Sequence, residues 1–164
     1  MKLFSTFQFV VLGLLLLWGL SFGDNMMPTV MKTGEALPVI DLMSLSNHTV
    51  STSELKYPLL ISVFTTWCTI CRKELPLLND ISAEARSKHV ALNIVGIDAG
   101  EGINKVASFQ RKQKLGFDVM IDPDLKLIKK LQILGTPVVL IFNKKGQLTY
   151  QGNEIPAEWL KLIQ

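Results

Sequence analysis

Hydrophobic and polar residues follow different periods along this chain, and the first block has no alternation at all. Lys2 precedes an uncharged stretch from Leu3 to Phe22, dense in Leu and Val between Phe9 and Leu20. The next charge is Asp24. A basic start, an apolar run and the small residues Ser21 and Gly23 make a secretory signal pattern. The same stretch reaches the roughly 20 residues that span a bilayer, although Ser5, Thr6 and Gln8 dilute it. Residues 1–23 are therefore expected to be a signal peptide or a membrane anchor, with Lys2 on the inner side in the second case. Residues 24–36 hold no sustained period and contain Pro28 and Gly34, which reads as a linker.

From Leu37 the pattern becomes that of packed elements. Pro38 to Leu42 alternates as an edge strand should, and a second short strand is expected around Thr49 and Val50. Pro58 to Phe64 is a continuous apolar run, suited to a strand buried on both faces. Cys68 to about Ala85 has helical spacing, with Ile70, Leu77, Leu78 and Ile81 near one face and a kink expected at Pro76. Val90 to Ile97 predicts a second buried strand, and Ile103 to Leu115 a helix that turns Val106, Phe109 and Leu115 inward. A short strand at Val119–Ile121 precedes a helix over 122–131, with Pro123 in its first turn. Pro137 to Phe142 is the third strong strand. A turn over 143–147, with Gly146 where φ must be positive, returns it to Leu148–Tyr150. Pro156 to Ile163 closes the chain as a helix. This order predicts an α/β domain over residues 37–164, a central mixed sheet flanked by helices with an N-terminal β-hairpin extension. That is the thioredoxin fold.

Length and composition narrow the picture further. A chain of 164 residues has room for one domain plus an export segment. The net charge of +3 is small, and no Lys/Arg cluster is interleaved with aromatics, so no nucleic-acid partner is expected. The pairs Lys129-Lys130 and Lys144-Lys145 read as solvated surface.

The candidate chemistry lies in the only two cysteines, Cys68 and Cys71. Outside the cytoplasm they can form a disulfide. A structural staple is a weak explanation, because a ring of four residues yields about 2 kcal/mol in the loop-entropy model, against about 3 for a 15-residue loop. The setting favours chemistry instead. The strand ending at Phe64 delivers Cys68 to the first turn of a helix, where unpaired N–H groups and the dipole favour an anion such as a thiolate. A free cysteine is only about 3% ionised at pH 7, and helix-start Cys-x-x-Cys sites commonly ionise far more readily. Cys68 is the expected nucleophile, and Cys71 the thiol that resolves a mixed disulfide. Thr69 and Ile70 between them can tune the redox potential, and Trp67 is placed to cover one side of the site.

The segment from Phe64 to Pro76, FTTWCTICRKELP, resembles the active-site segment of membrane-anchored, extracytoplasmic thiol–disulfide oxidoreductases of the TlpA/ResA-like group. The resemblance extends over about residues 36–164. It implies an enzyme acting outside the cytoplasm as a reductant of selected protein disulfides, in a setting such as cytochrome c maturation. A membrane electron-donor protein would re-reduce it, and no cofactor or metal is implied. By the same resemblance Gly135-Thr136-Pro137 places a cis-proline opposite the cysteines. Thr136 there would pair its backbone with an extended substrate segment. Glu101 would be a proton acceptor near the cysteines that raises the second thiol. Ser62 stands where cytoplasmic thioredoxins carry a buried acid, so that role is unfilled at this position. Glu74 is explained by helix-dipole compensation.

Three other readings stay open on the residues. A thiol-dependent peroxidase would want Pro-x-x-x-Thr-x-x-Cys, and Thr65 fits while Ile61 occupies the proline position. A soft-metal (copper) chaperone could use the two thiols, but His48 and His89 have no recognisable spacing to them. The third is a binding module with a silent disulfide.

Overall fold

In the computed structural model, which describes residues 31–164, the apolar run after Tyr57 becomes the central strand of the molecule. Residues 1–23, expected as signal or anchor, and 24–30 of the expected linker lie outside the described residues. Strands β1 (Asp41–Ser44) and β2 (Thr49–Ser51) form the N-terminal hairpin. They are followed by β3 (Leu59–Phe64), α1 (Thr69–Glu74) and α2 (Leu77–Ser87). Then come β4 (Asn93–Asp98), α3 (Ile103–Gln113), β5 (Asp118–Ile121) and α4 (Lys126–Lys130). The chain ends with β6 (Val138–Phe142), β7 (Leu148–Gly152) and α5 (Trp159–Leu162). The sheet order is β2-β1-β5-β4-β3-β6-β7. β3, β4 and β5 run parallel, and the outer pairings are antiparallel, so the sheet is mixed as expected. This is a thioredoxin-like fold.

All six residues of β3 are buried, and their alternation splits the core in two. Leu60 and Phe64 face a layer that includes Leu78, Ile81, Val106, Phe109 and both cysteines. Leu59, Ile61 and Val63 face the opposite layer, with Leu127, Leu131 and Leu148. A strand covered on both sides has no polar face to show, which is why its sequence reads as one apolar run.

Several boundaries differ from the expected ones for identifiable reasons. Pro76 does more than kink its helix. It separates α1 from α2, while one inner stripe of Cys71, Leu75, Leu78 and Ile81 continues across the break and leaves Ile70 and Leu77 beside it, exposed. Pro123 does not start a helix. The Asp122 carboxylate accepts from the N–H groups of Lys126, Leu127 and Ile128, so α4 begins only at Lys126. α3 stops at Gln113 because Lys114 turns left-handed, at φ 53°, and Leu115 N–H returns to the Gln110 carbonyl. The closing helix is a single turn, Trp159–Leu162. Residues 31–36, the end of the expected linker, pack on the domain: Met31 is buried, its N–H bonds the Gln151 side chain, and Ala36 bridges to Gln147.

Candidate active site

The end of β3 and the start of α1 are joined by Thr65, Thr66, Trp67 and Cys68. Cys68 caps α1 from an extended conformation, φ −68° and ψ 114°, and its sulfur accepts the Cys71 N–H at 3.1 Å. The backbone N–H that stabilises a negative sulfur is thus already aimed at it. Cys68 and Cys71 are bonded to each other. Cys68 is 7% exposed and Cys71 only 1%, so solvent and any partner meet Cys68 first.

The second wall comes from far along the chain. The register of β3 against β6 sets Val63 beside Val138, and this carries the loop before β6 to the turn after β3. The Thr136–Pro137 peptide is cis, and the Thr136 carbonyl oxygen lies 3.6 Å from the Cys68 sulfur. In the disulfide state this is a packing contact; only a reduced Cys68 thiol has a hydrogen to donate across it. Trp67 is 68% exposed, a surface aromatic beside the disulfide and not a core one. Ile70 and Leu134, on the helix side and the β6 side, are exposed as well. Trp67, Cys68, Cys71, Thr136 and Pro137 therefore belong to one end of the sheet.

Glu101 reaches the same end through Thr66. Its carboxylate accepts from the Thr66 N–H and, at 2.9 Å, from the Thr66 hydroxyl, and it pairs with Lys105. Burial works to raise the Glu101 carboxyl, but the Lys105 ammonium and the Thr66 donors outweigh it and hold the group at about 2. Sequence reasoning passed over its neighbour Asp98. This side chain closes β4, is fully buried, and accepts the Glu101 N–H at 2.8 Å. Burial, then the adjacent Glu101 carboxyl, push Asp98 up to about 7. The one signal in the sequence was an acid closing the otherwise apolar run Ile94–Ile97.

Other expected contributors lie elsewhere. Ser62 is buried in β3. Glu74 ends α1 and does not begin it, so dipole compensation does not explain it. Burial and then the charge of Glu154 raise its carboxyl. His48 sits in the β1–β2 turn, bonded through Nδ1 to Ser44 at 2.8 Å, in a cavity with Leu59 and Asn93 at the strand starts. His89 also precedes β4, so both histidines lie at the end of the sheet opposite the cysteines. Ile61, at the position a peroxidase motif gives to proline, is fully buried mid-strand.

A disulfide capping a helix, facing a cis-proline loop across the end of a mixed sheet, defines a thioredoxin-like protein of the Cys-x-x-Cys class. Comparison with known families makes this specific: residues 33–151 match the AhpC/TSA family, and the chain belongs to it. Among curated relatives, thiol-disulfide oxidoreductase ResA of Bacillus thuringiensis subsp. konkukian is 27% identical over 139 residues, covering 81% of this chain and 79% of its own. Thiol:disulfide interchange protein DsbE of Tatumella citrea is 28% identical over 171 residues, covering 95% of this chain and 87% of its own. A crystal structure of a thiol:disulfide interchange protein of the thioredoxin family from Chlorobium tepidum superposes with a TM-score of 0.65 at 20% identity. It covers 81% of this chain and 96% of that one, which establishes the shared fold.

Proposed function

We propose that this chain is a thiol–disulfide oxidoreductase that works outside the cytoplasm and reduces selected protein disulfides through Cys68 and Cys71. The observation that carries the reading is the placement of the Cys68 sulfur between the Cys71 N–H and the Thr136 carbonyl. In the reduced protein, the Cys68 thiolate attacks one sulfur of the partner's disulfide. A Cys68–partner disulfide forms and the partner's other sulfur leaves as a thiolate. Cys71, once deprotonated, attacks Cys68, closes the intramolecular disulfide and releases the second partner thiol. Two electrons pass to the partner, and Cys68–Cys71 is left oxidised. Trp67 and the Thr136–Pro137 loop line the approach, with Thr136 offering backbone groups to an extended partner segment.

A membrane electron-donor protein would return the two electrons, and the apolar residues 1–23 would export the chain or hold it at the membrane. The relatives' names, ResA and DsbE, support the oxidoreductase reading, and the TlpA/ResA-like resemblance favours cytochrome c maturation as its setting. The test is to reduce the protein, mix it with disulfide-bearing secreted proteins and follow thiol release, while a Cys71→Ser variant is used to trap partners on Cys68. Release of partner thiols and a Cys68-linked adduct are expected. Wild-type protein that reduces no protein disulfide, together with a variant that traps nothing, overturns the reading.

A further inference from the structure

The carboxyl of Asp98 has no part in the exchange steps above, yet it is the polar group most completely removed from water at this end of the sheet. Its two oxygens are unequally served. Oδ1 accepts the Glu101 N–H at 2.8 Å. Oδ2 is buried, and no donor among the described residues reaches it. The neighbouring acid that raises Asp98 is another acceptor, the carboxyl of the same Glu101 whose N–H bonds Oδ1. Two carboxylates cannot hydrogen-bond each other, whereas an acid and a carboxylate can. One proton on Oδ2 therefore satisfies an oxygen that otherwise has no partner.

We propose that Asp98 is a positioning residue for disulfide exchange: its carboxyl holds the one proton it shares with Glu101 and so keeps Glu101 clamped on the Thr66 turn that presents Cys68. The inference rests on the proposed oxidoreductase function. The connection is continuous through bonds already described. Asp98 fixes the Glu101 N–H, Glu101 fixes the Thr66 N–H and hydroxyl, and Thr66 lies two residues before Cys68. Loss of the shared proton would set two negative carboxylates face to face in a buried site, and Glu101, nearer the surface, is the one free to move.

The charges around the pair come from three elements. α3 contributes Lys105, whose ammonium is already paired with Glu101, and Lys112; α1 contributes Arg72, and Arg72 and Lys112 line one cavity with Thr66 and Lys105. β3 contributes Phe64 alongside. β5 contributes Ile121 and then Asp122, whose carboxylate is taken up by the N–H groups of α4. In the reduced protein the thiols of Cys68 and Cys71 are the other titrating groups of the site.

The test compares the wild-type chain with Asp98→Asn, which copies a neutral acid and cannot ionise, and with Asp98→Ala. Rates of protein-disulfide reduction are measured on both sides of neutrality and normalised to the Cys68 thiolate fraction, titrated separately by thiolate absorbance. Wild type should lose rate as pH rises through about 7. The Asn variant should keep the acid-side rate and lose that step. The Ala variant should be slower at every pH, by about tenfold, because misplacing a reacting group carries a cost of that order or larger. Infrared difference spectra should show a neutral carboxylic acid in wild type at mildly acidic pH that disappears in Asp98→Asn, a readout independent of turnover and of whether the Ala variant folds. An unchanged infrared band, or an Asn variant that keeps the wild-type pH step, overturns the role of Asp98. A wild-type protein that reduces nothing but shows the band refutes the function instead, and leaves the shared proton standing.

Discussion

The Cys68 sulfur and the Thr136 carbonyl oxygen lie 3.6 Å apart, although 68 residues of chain separate them. Neither local sequence makes this contact. It follows from the pairing of β3 with β6, which sets Val63 against Val138 and so brings the loop before one strand to the turn after the other. The apolar side chains around this point, Trp67, Ile70 and Leu134, face solvent.

That exposure predicts a separation of binding from folding. Trp67 and Leu134 are 68% and 85% exposed, so the double substitution Trp67→Ala/Leu134→Ser should change stability by less than about 0.5 kcal/mol. The KM for a protein disulfide should rise several-fold, while oxidation of the reduced protein by a small disulfide stays at its wild-type rate. Urea unfolding and the two kinetic assays together decide it. An equal loss on both substrates would mean that these side chains do not form the docking surface.

Glu101→Ala should act in the opposite sense. The substitution leaves the Thr66 N–H and hydroxyl without the carboxylate that accepts from both. Leaving buried donors unpaired costs about 1–3 kcal/mol, which chemical denaturation should detect. Glu101→Gln retains an acceptor and should lose less.

Asp122→Ala tests a carboxylate that serves architecture. Three N–H groups at the start of α4 lose their acceptor, and a loss of about 2 kcal/mol is expected. The reduction rate per folded molecule should change little, as α4 packs in the layer opposite the cysteines. Thermal melts measured beside activity will show whether the two separate.

Stability should also pass through a maximum with pH. Asp98 is raised from 3.8 to about 7, so between those values the folded state binds the proton that the unfolded state has lost, and stability falls as pH rises through that window. Glu101 is lowered from 4.5 to about 2, so the stability it contributes is present above about 4.5 and is lost as pH falls toward 2. Urea unfolding across this range should show the decline toward neutrality in wild type, and Asp98→Asn should flatten it. A decline unchanged in the variant would assign it to another group.

The apolar run of β3, the helical spacing after Cys68 and the Gly146 turn were legible because burial on two faces, helical period and positive φ each leave a local mark. The Cys-x-x-Cys pair at a helix start was legible for the same reason: four consecutive residues carry it. Ile70 and Leu77 misled, because they repeat at helical spacing right beside the inner stripe of Cys71, Leu75, Leu78 and Ile81, and only packing shows which stripe is covered. Pro123 misled because the capping of α4 comes from the Asp122 side chain, and a proline pattern cannot show which N–H groups a carboxylate will take. Asp98 stayed hidden because its burial depends on Phe64 and Ile121 in neighbouring strands. The sequence by itself determined the fold class, the element order and the two cysteines, all consequences of short-range pattern. Only the tertiary structure decided what faces them, since the Thr136 carbonyl and the Asp98–Glu101–Thr66 chain are assembled by strand register, which joins residues that local sequence leaves unrelated.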